Sequence, residues 1–134
     1  MRLNGELEMS GANRYLLDTN AIIALLKGDG ELATRLSGAE LVGISVVSHL
    51  EFMCFKGLSS EDSSVFEAFL RRVESFGLHS NDNELMDTVI RIRRDTGLKL
   101  PDAIIGATAI QHNLALLTAD TALLNAIPKA INFR

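Results

Sequence analysis

The amino-acid sequence predicts an α/β fold, with helices laid against a mostly parallel central sheet. Three observations carry that expectation. Tyr15–Leu17, Leu41–Ser45 and Ala115–Thr118 are continuous apolar runs of strand length, as expected of strands covered on both faces. Longer segments with helical periodicity separate these runs, and such alternation indicates βα units stacked in layers. No internal repeat, low-complexity segment or linker divides the 134 residues, a length that suits one domain.

The elements are justified in chain order. Residues 1–13 are polar, contain two glycines and lack periodicity, so a loose lead-in is expected there, with a single domain over 14–134. Tyr15–Leu17 is the first strand. Asp18-Thr19-Asn20 supplies capping residues, and a helix runs from Ala21 to Lys27, stopped by Gly28. A short helix follows over Glu31–Leu36, then the strand Leu41–Ser45. Val46 to Phe55 reads as a helix ending near Gly57. Ser59-Ser60-Glu61-Asp62 resembles a helix start, with Val65, Phe66, Phe69, Leu70 and Val73 on one face. Leu78 is expected in a short strand. Asn83–Thr96 is a helix striped by Leu85, Val89 and Ile92 and closed by Gly97. Pro101 opens a helix reaching about His112. Ala115–Thr118 is a strand, a helical turn follows through Leu124, and Ala130–Phe133 is a last edge strand.

Composition narrows the function. The hydrophobic content of 47% supports a core without covalent staples, and the one cysteine, Cys54, excludes an intramolecular disulfide framework. No run approaches the roughly 20 apolar residues needed to cross a bilayer, and residues 1–8 lack a signal-peptide core. These features point to a soluble cytoplasmic protein with no membrane partner. A net charge of −4 and an aromatic content of 5% argue against a protein that coats nucleic acid or stacks bases. They leave a nuclease open, because carboxylates that hold metal ions make the bare chain acidic.

In parallel sheets ligands bind beyond the carboxyl ends of the strands. Asp18 directly follows Leu17, and Asp120 closes Leu116-Leu117-Thr118-Ala119. Two further acids lie on helices. One turn from Glu51 stand Val47, Cys54 and Phe55; beyond Asp102 stand Ile105, Gly106 and Ala109. Both carboxylates therefore share a stripe with apolar residues, and neither stripe carries a Lys or Arg within a turn. An ionised carboxylate buried without a partner is very costly, and a bound cation is the evident compensation. Singly, each acid has a plainer reading: Asp18 and Asp120 as helix N-caps, Asp102 as a first-turn acid favoured by the helix dipole, Glu51 at the sheet margin with its head in water. Together the four predict one metal site, in which Asp18, Glu51 and Asp102 converge on a common ion and Asp120 joins directly or through water. All-oxygen donors suit Mg²⁺ or Mn²⁺. Zinc is disfavoured, because His49, His79 and His112 are scattered and are read as surface or packing residues.

These stretches resemble the PIN-domain family, and within it the VapC-like toxins of bacterial toxin–antitoxin pairs. The resemblance rests on Leu16-Leu17-Asp18-Thr19-Asn20, Ile44 to Glu51, Leu100 to Ala109, and Leu116 to Asp120, in the family's order and covering Tyr15 to Phe133. It implies a Rossmann-like α/β/α sandwich, a Mg²⁺- or Mn²⁺-dependent endoribonuclease, a cognate antitoxin protein and a homodimer. It carries over Asp18, Glu51, Asp102 and Asp120 as catalytic and metal-binding acids, with Asn20 and Thr118 as supporting polar residues. The departures touch no acid: Phe52 follows Glu51 where Leu is frequent, Thr121-Ala122-Leu123 follows Asp120, and the lead-in is longer than usual. They bear on substrate choice and partner fit.

Arg91, Arg93, Arg94 and Lys99 form a basic group before Asp102. Arg91, Arg94 and Lys99 are candidate contacts to RNA phosphates, against a slightly favoured reading as a solvated helix end whose cations suit the dipole. Three other functions compete with the toxin. One is an RNA-processing nuclease without an antitoxin. The second, a phosphoacceptor receiver domain, requires a Lys at a late strand end, where this chain has Ala119-Asp120. The third is an inactive binding module, and an intact set of four acids argues against it.

Overall fold

The computed structural model describes residues 13–134; the expected lead-in at 1–12 lies outside the described residues. Strand β1 (Arg14–Leu17) is followed by α1 (Thr19–Leu26) and α2 (Gly30–Ser37), then by β2 (Leu41–Ser45), α3 (Val46–Met53) and α4 (Ser60–Leu70). The edge strand β3 (Glu74–Phe76) leads into α5 (Asn83–Thr96) and α6 (Leu100–Gln111). Strand β4 (Ala115–Thr118), α7 (Thr121–Ala126) and β5 (Ala130–Asn132) complete the chain. The sheet has the order β3-β2-β1-β4-β5, and every neighbouring pair is parallel. All strands therefore end at one edge. The order turns back between β1 and β4, the place where a doubly wound sheet opens a crevice.

Alternation along the two central strands divides the core into two layers. Leu16 and Leu116 face a layer built by Leu85, Val89 and Ile92 of α5, Ala103, Ile105 and Ala107 of α6, and Leu123 and Ile127 around α7. Tyr15, Leu17, Ala115 and Leu117 face the other way, onto Ala21 and Ile22 of α1, Leu32 of α2, Phe52 of α3, and Phe66 and Phe69 of α4. Leu16, Leu17, Leu116 and Leu117 are completely buried, each contributing about 1.5–3 kcal/mol by leaving water. Both faces being covered explains why these strands read as unbroken apolar runs.

Helix boundaries follow local chemistry. Asp18, Asp29, Ser45, Ser59, Asp82 and Asp120 each stand at an N-cap and accept a hydrogen bond from an amide of the first turn, the arrangement that satisfies otherwise unpaired N–H groups. Ser59 and Asp62 form a reciprocal capping box. Asp82 also accepts from Gln111 Nε2 at 3.0 Å, tying the start of α5 to the end of α6. Gly97 ends α5 at φ 74°, a left-handed conformation that other residues reach only at a cost. Among the described residues no helix is long and apolar enough to cross a membrane.

Two expectations are corrected. The third strand is Glu74–Phe76 and excludes Leu78, which is 42% exposed. Phe76 anchors that strand: its ring fills the space beside Gly43, where a Cβ would lie 2.5 Å from Phe76 Cε2, packs against the core layer of Leu16 and Leu116, and meets the His112 ring at 4.3 Å. Helix α3 ends at Met53, before Phe55, whose ring meets Phe52 edge-on at 6.2 Å. Gly106 makes close packing of α6 possible. A Cβ there would stand 2.5 Å from Cδ1 and 3.1 Å from Cγ1 of Ile127, itself 2% exposed. Gly106→Val is expected to destabilise the fold by about 2–3 kcal/mol through overpacking, measured by urea denaturation; an unchanged midpoint would show that Ile127 can move aside.

Candidate active site

Four acids line one cleft of about 380 Å³ beyond the carboxyl ends of β1 and β4: Asp18, Glu51, Asp102 and Asp120, with Thr19 and Asn20 beside them. Ile105 and Leu123 form part of its apolar wall. Each acid arrives by a different local route.

Asp18 ends β1 and caps α1. Its Oδ1 accepts from the Ala21 amide at 2.8 Å, and its Oδ2 accepts from the hydroxyl of Thr118, a residue buried at the end of β4. Asp18 is only 5% exposed. Burial pushes its carboxyl above the ordinary range; the Thr118 and Ala21 hydrogen bonds oppose that shift, and the charges of Asp120 and Glu51 add to it. The Thr118 oxygen also accepts from the Asp120 amide at 3.0 Å. One hydroxyl thus braces two of the four acids. Asp120 Oδ1 caps α7, accepting from Ala122 at 2.8 Å and Leu123 at 3.3 Å.

Asp102 stands in the first turn of α6 and is half-buried. The stripe below it is as expected, with Ile105, Gly106 and Ala109 all buried. Burial raises its carboxyl above the ordinary range, and repulsion from Asp120, Glu51 and Asp18 raises it further. Lys99 opposes the shift. The expectation that no cation lies within a turn of Asp102 is therefore corrected: Lys99, the residue before α6, stands three positions earlier.

Glu51 differs from its expected setting. It is exposed, as are Cys54 and Phe55 on its stripe. Helix α3 buries Ser48 and Phe52 instead, so Glu51 projects from the cleft wall with its head in water. It is not adrift, because Oε1 accepts from the Thr19 hydroxyl at 2.5 Å. Sequence reading assigned supporting roles to Asn20 and Thr118 and passed over Thr19, whose one local signal was its position beside Asp18.

The four carboxylates share a cleft without closing on one point. Among the described residues, no three His, Cys, Asp or Glu side chains stand together as ligands for one ion. The expected convergence of Asp18, Glu51 and Asp102 thus extends to a common cleft and no further. The donor set still fits a hard divalent cation: every charged group lining the cleft is a carboxylate, and two of them resist ionisation partly because of the others. The histidines lie elsewhere. His49 sits edge-on to Phe66 at 5.3 Å, and His112 packs on Phe76.

Of the basic group, Arg93 Nη1 donates to the Leu98 carbonyl at 2.7 Å and closes the turn after α5. Arg91, Arg94 and Lys99 are exposed. None of the three lines the acidic cleft.

Comparison with known proteins agrees with this architecture. The family model described as "PIN domain" matches residues 15–129. No curated protein matches the chain significantly. Among solved structures, the chain is similar to one titled a toxin–antitoxin complex from Klebsiella pneumoniae, with TM-score 0.75 and 28% identity over 90% of this chain and 98% of that one. A DNA-bound VapBC from Salmonella typhimurium gives TM-score 0.73 at 21% identity, over 87% and 94% of the two chains. VapBC2 from Rickettsia felis, bound to a DNA fragment from its promoter, gives TM-score 0.71 at 20% identity over 87% and 95%. At such identities the last two show likeness of fold alone.

Proposed function

Since the chain belongs to the PIN-domain family, we propose that it is a metal-dependent endoribonuclease, the toxin of a toxin–antitoxin pair, acting in the cytoplasm on a structured RNA. The observation that carries this reading is the single cleft lined by Asp18, Glu51, Asp102 and Asp120. The likeness to a toxin–antitoxin complex at 28% identity favours the toxin over a processing nuclease.

In this reading the four carboxylates hold Mg²⁺ or Mn²⁺. Mg²⁺ commonly keeps several waters, so few direct protein contacts would be needed to hold it. The bound ion supplies charge stabilisation at a phosphoryl oxygen and lowers the pKa of a water. The side chains position. Asp18 is held from both oxygens by Ala21 and Thr118. Asp120 keeps Oδ2 turned from its capping contacts, and Glu51 Oε2 is available to accept a hydrogen bond from an attacking water. Apolar Ile105 and Leu123 limit how much bulk water the cleft admits. Lys99, close enough to Asp102 to affect its ionisation, together with Arg91 and Arg94, offers cations to flanking phosphates. Shape selects the RNA, because a chain with 5% aromatic residues has little with which to stack successive bases.

The surface next to the acidic cleft supports the reading of an antitoxin partner. A second cleft, of about 610 Å³, is lined by Ile23, Leu26, Phe52 and Val65 together with Lys27, Lys56, Glu61 and Asp62, and shares Phe55 with the acidic cleft. An antitoxin segment seated there would lie beside the carboxylates. A homodimer presenting two cleavage sites completes the proposal.

Purified protein is expected to cut structured RNA with Mg²⁺ or Mn²⁺ and to stop in EDTA. Asp102→Asn is expected to cut at least about 100-fold more slowly, the scale on which a single positioned acid or base acts. Cleavage that persists in EDTA sinks the metal-dependent reading.

A further inference from the structure

The structure assigns Thr19 a positioning role: its hydroxyl holds Glu51 over the acidic cleft and prepares that carboxylate for a divalent cation. The assignment rests on the proposed metal site and adds a residue to it.

The four acids are secured very differently. Asp18 is buried and hydrogen-bonded through both oxygens. Asp120 is fixed by two amides of α7, and Asp102 is half-buried against α6. Glu51 has the longest side chain, stands exposed, and comes from the second turn of α3. Among the described residues its side chain has one hydrogen-bond partner, Thr19 Oγ1. That contact spans 32 positions of sequence and joins the first residue of α1 to α3.

A free glutamate loses considerable rotamer freedom when it is fixed. A ligand already held by a neighbour has lost that freedom before the ion arrives, which is the general effect of partners that orient metal ligands. The donation occupies Oε1 only. Oε2 keeps both lone pairs for the ion or an ion-bound water, and a hydroxyl adds no charge to compete with the cation. Threonine suits the place. The first residue of a helix has a side chain free to turn toward a neighbouring helix, and the branched Cβ leaves few χ1 states to choose among.

The test is Mn²⁺ binding by the purified full chain, read from the free-Mn²⁺ electron paramagnetic resonance signal without RNA. Thr19→Val keeps the shape and removes the donor, and is expected to bind Mn²⁺ about 10-fold more weakly, the lower end of the range for such orienting partners. Thr19→Ser restores the donor and is expected to return to within about 2-fold of wild type. In a Glu51→Gln background the Thr19→Val effect should vanish, because Thr19 acts through Glu51. Far-ultraviolet circular dichroism and the metal-free melting temperature establish that each variant is folded. If Thr19→Val binds as wild type does, or if Ser fails to rescue, the positioning role is overturned while the metal site stands. Wild type that binds no Mn²⁺ overturns the site itself and the Thr19 role with it.

Discussion

On the proposed toxin function, expression of the wild-type chain alone is expected to arrest bacterial growth, while Asp102→Asn at equal abundance is harmless. The argument is one of geometry and amplification. Asp102 is half-buried in the common cleft, and burial and three neighbouring carboxylates all push its pKa upward and oppose its ionisation. Asparagine fills nearly the same volume and relieves that repulsion, so the variant should fold at least as well. It removes the anionic oxygens that a cation needs. A loss of the proposed cleavage of about 100-fold or more should leave RNA synthesis able to keep pace with it. Growth curves with matched immunoblots read the outcome, and co-expression of the cognate antitoxin should restore wild-type-expressing cells. Equal toxicity of Asp102→Asn would remove Asp102 from the catalytic set. A harmless wild type that still cuts RNA in vitro would favour a processing nuclease without an antitoxin.

The second large effect is on stability. Mn²⁺ at 100 times its dissociation constant stabilises a native state by about 2.7 kcal/mol, which for a domain of this size is a rise in melting temperature of roughly 10 °C. Asp18→Asn is expected to abolish most of that rise. Its effect without metal depends on pH, and the sign follows from burial. The folded protein raises the Asp18 carboxyl above its ordinary value of 3.8, so it binds that proton more tightly than the unfolded chain does. The corresponding stability is fully present below the ordinary value and is lost as pH rises through the raised one. Asp102 acts in the same direction. In EDTA, wild type should therefore lose stability as pH climbs above about 4, and Asp18→Asn should lose less, so the gap in its favour widens toward neutrality. Thr118 opposes this by losing its carboxylate acceptor, a cost of about 1 kcal/mol that grows as Asp18 ionises, because this hydrogen bond favours the charged form. Calorimetric scans across pH with and without Mn²⁺ separate the two contributions. Equal metal responses in wild type and Asp18→Asn would place the ion elsewhere.

The legible parts of the fold were those decided within a few residues. Leu16-Leu17-Asp18 announces a buried strand, its end and a helix cap in one short stretch, and Thr118 to Asp120 does so again. The order of strands and helices followed from such stretches, and a parallel sheet then required both acids to appear at the same edge. What depended on distant packing was misread. Periodicity placed Val47, Glu51, Cys54 and Phe55 on one stripe correctly, but which stripe of α3 is covered is decided by α1 and α4, and those cover Phe52. The edge strand has only three residues, too few for alternation to show whether Phe76 or Leu78 is its anchor. Thr19 was invisible as a partner of Glu51 because nothing local links positions 32 apart.

Ser45 is at once the last residue of β2 and the cap of α3, with no connecting loop between them. Its hydroxyl accepts from the Val47 amide at 3.0 Å. The angular phase of Glu51 is therefore counted from the sheet itself: six residues beyond Ser45, on a helix that turns about 100° per residue. One residue inserted between Ser45 and Glu51 would swing the carboxylate a quarter-turn or more, away from Thr19 and out of the cleft. The same holds between Leu17 and Asp18, and between Thr118 and Asp120. Insertions are expected to be tolerated in stretches between elements that do no counting, such as 54–59 and 77–82. The acidic edge behaves like a ruled scale, able to exchange its side chains but not to change its spacing.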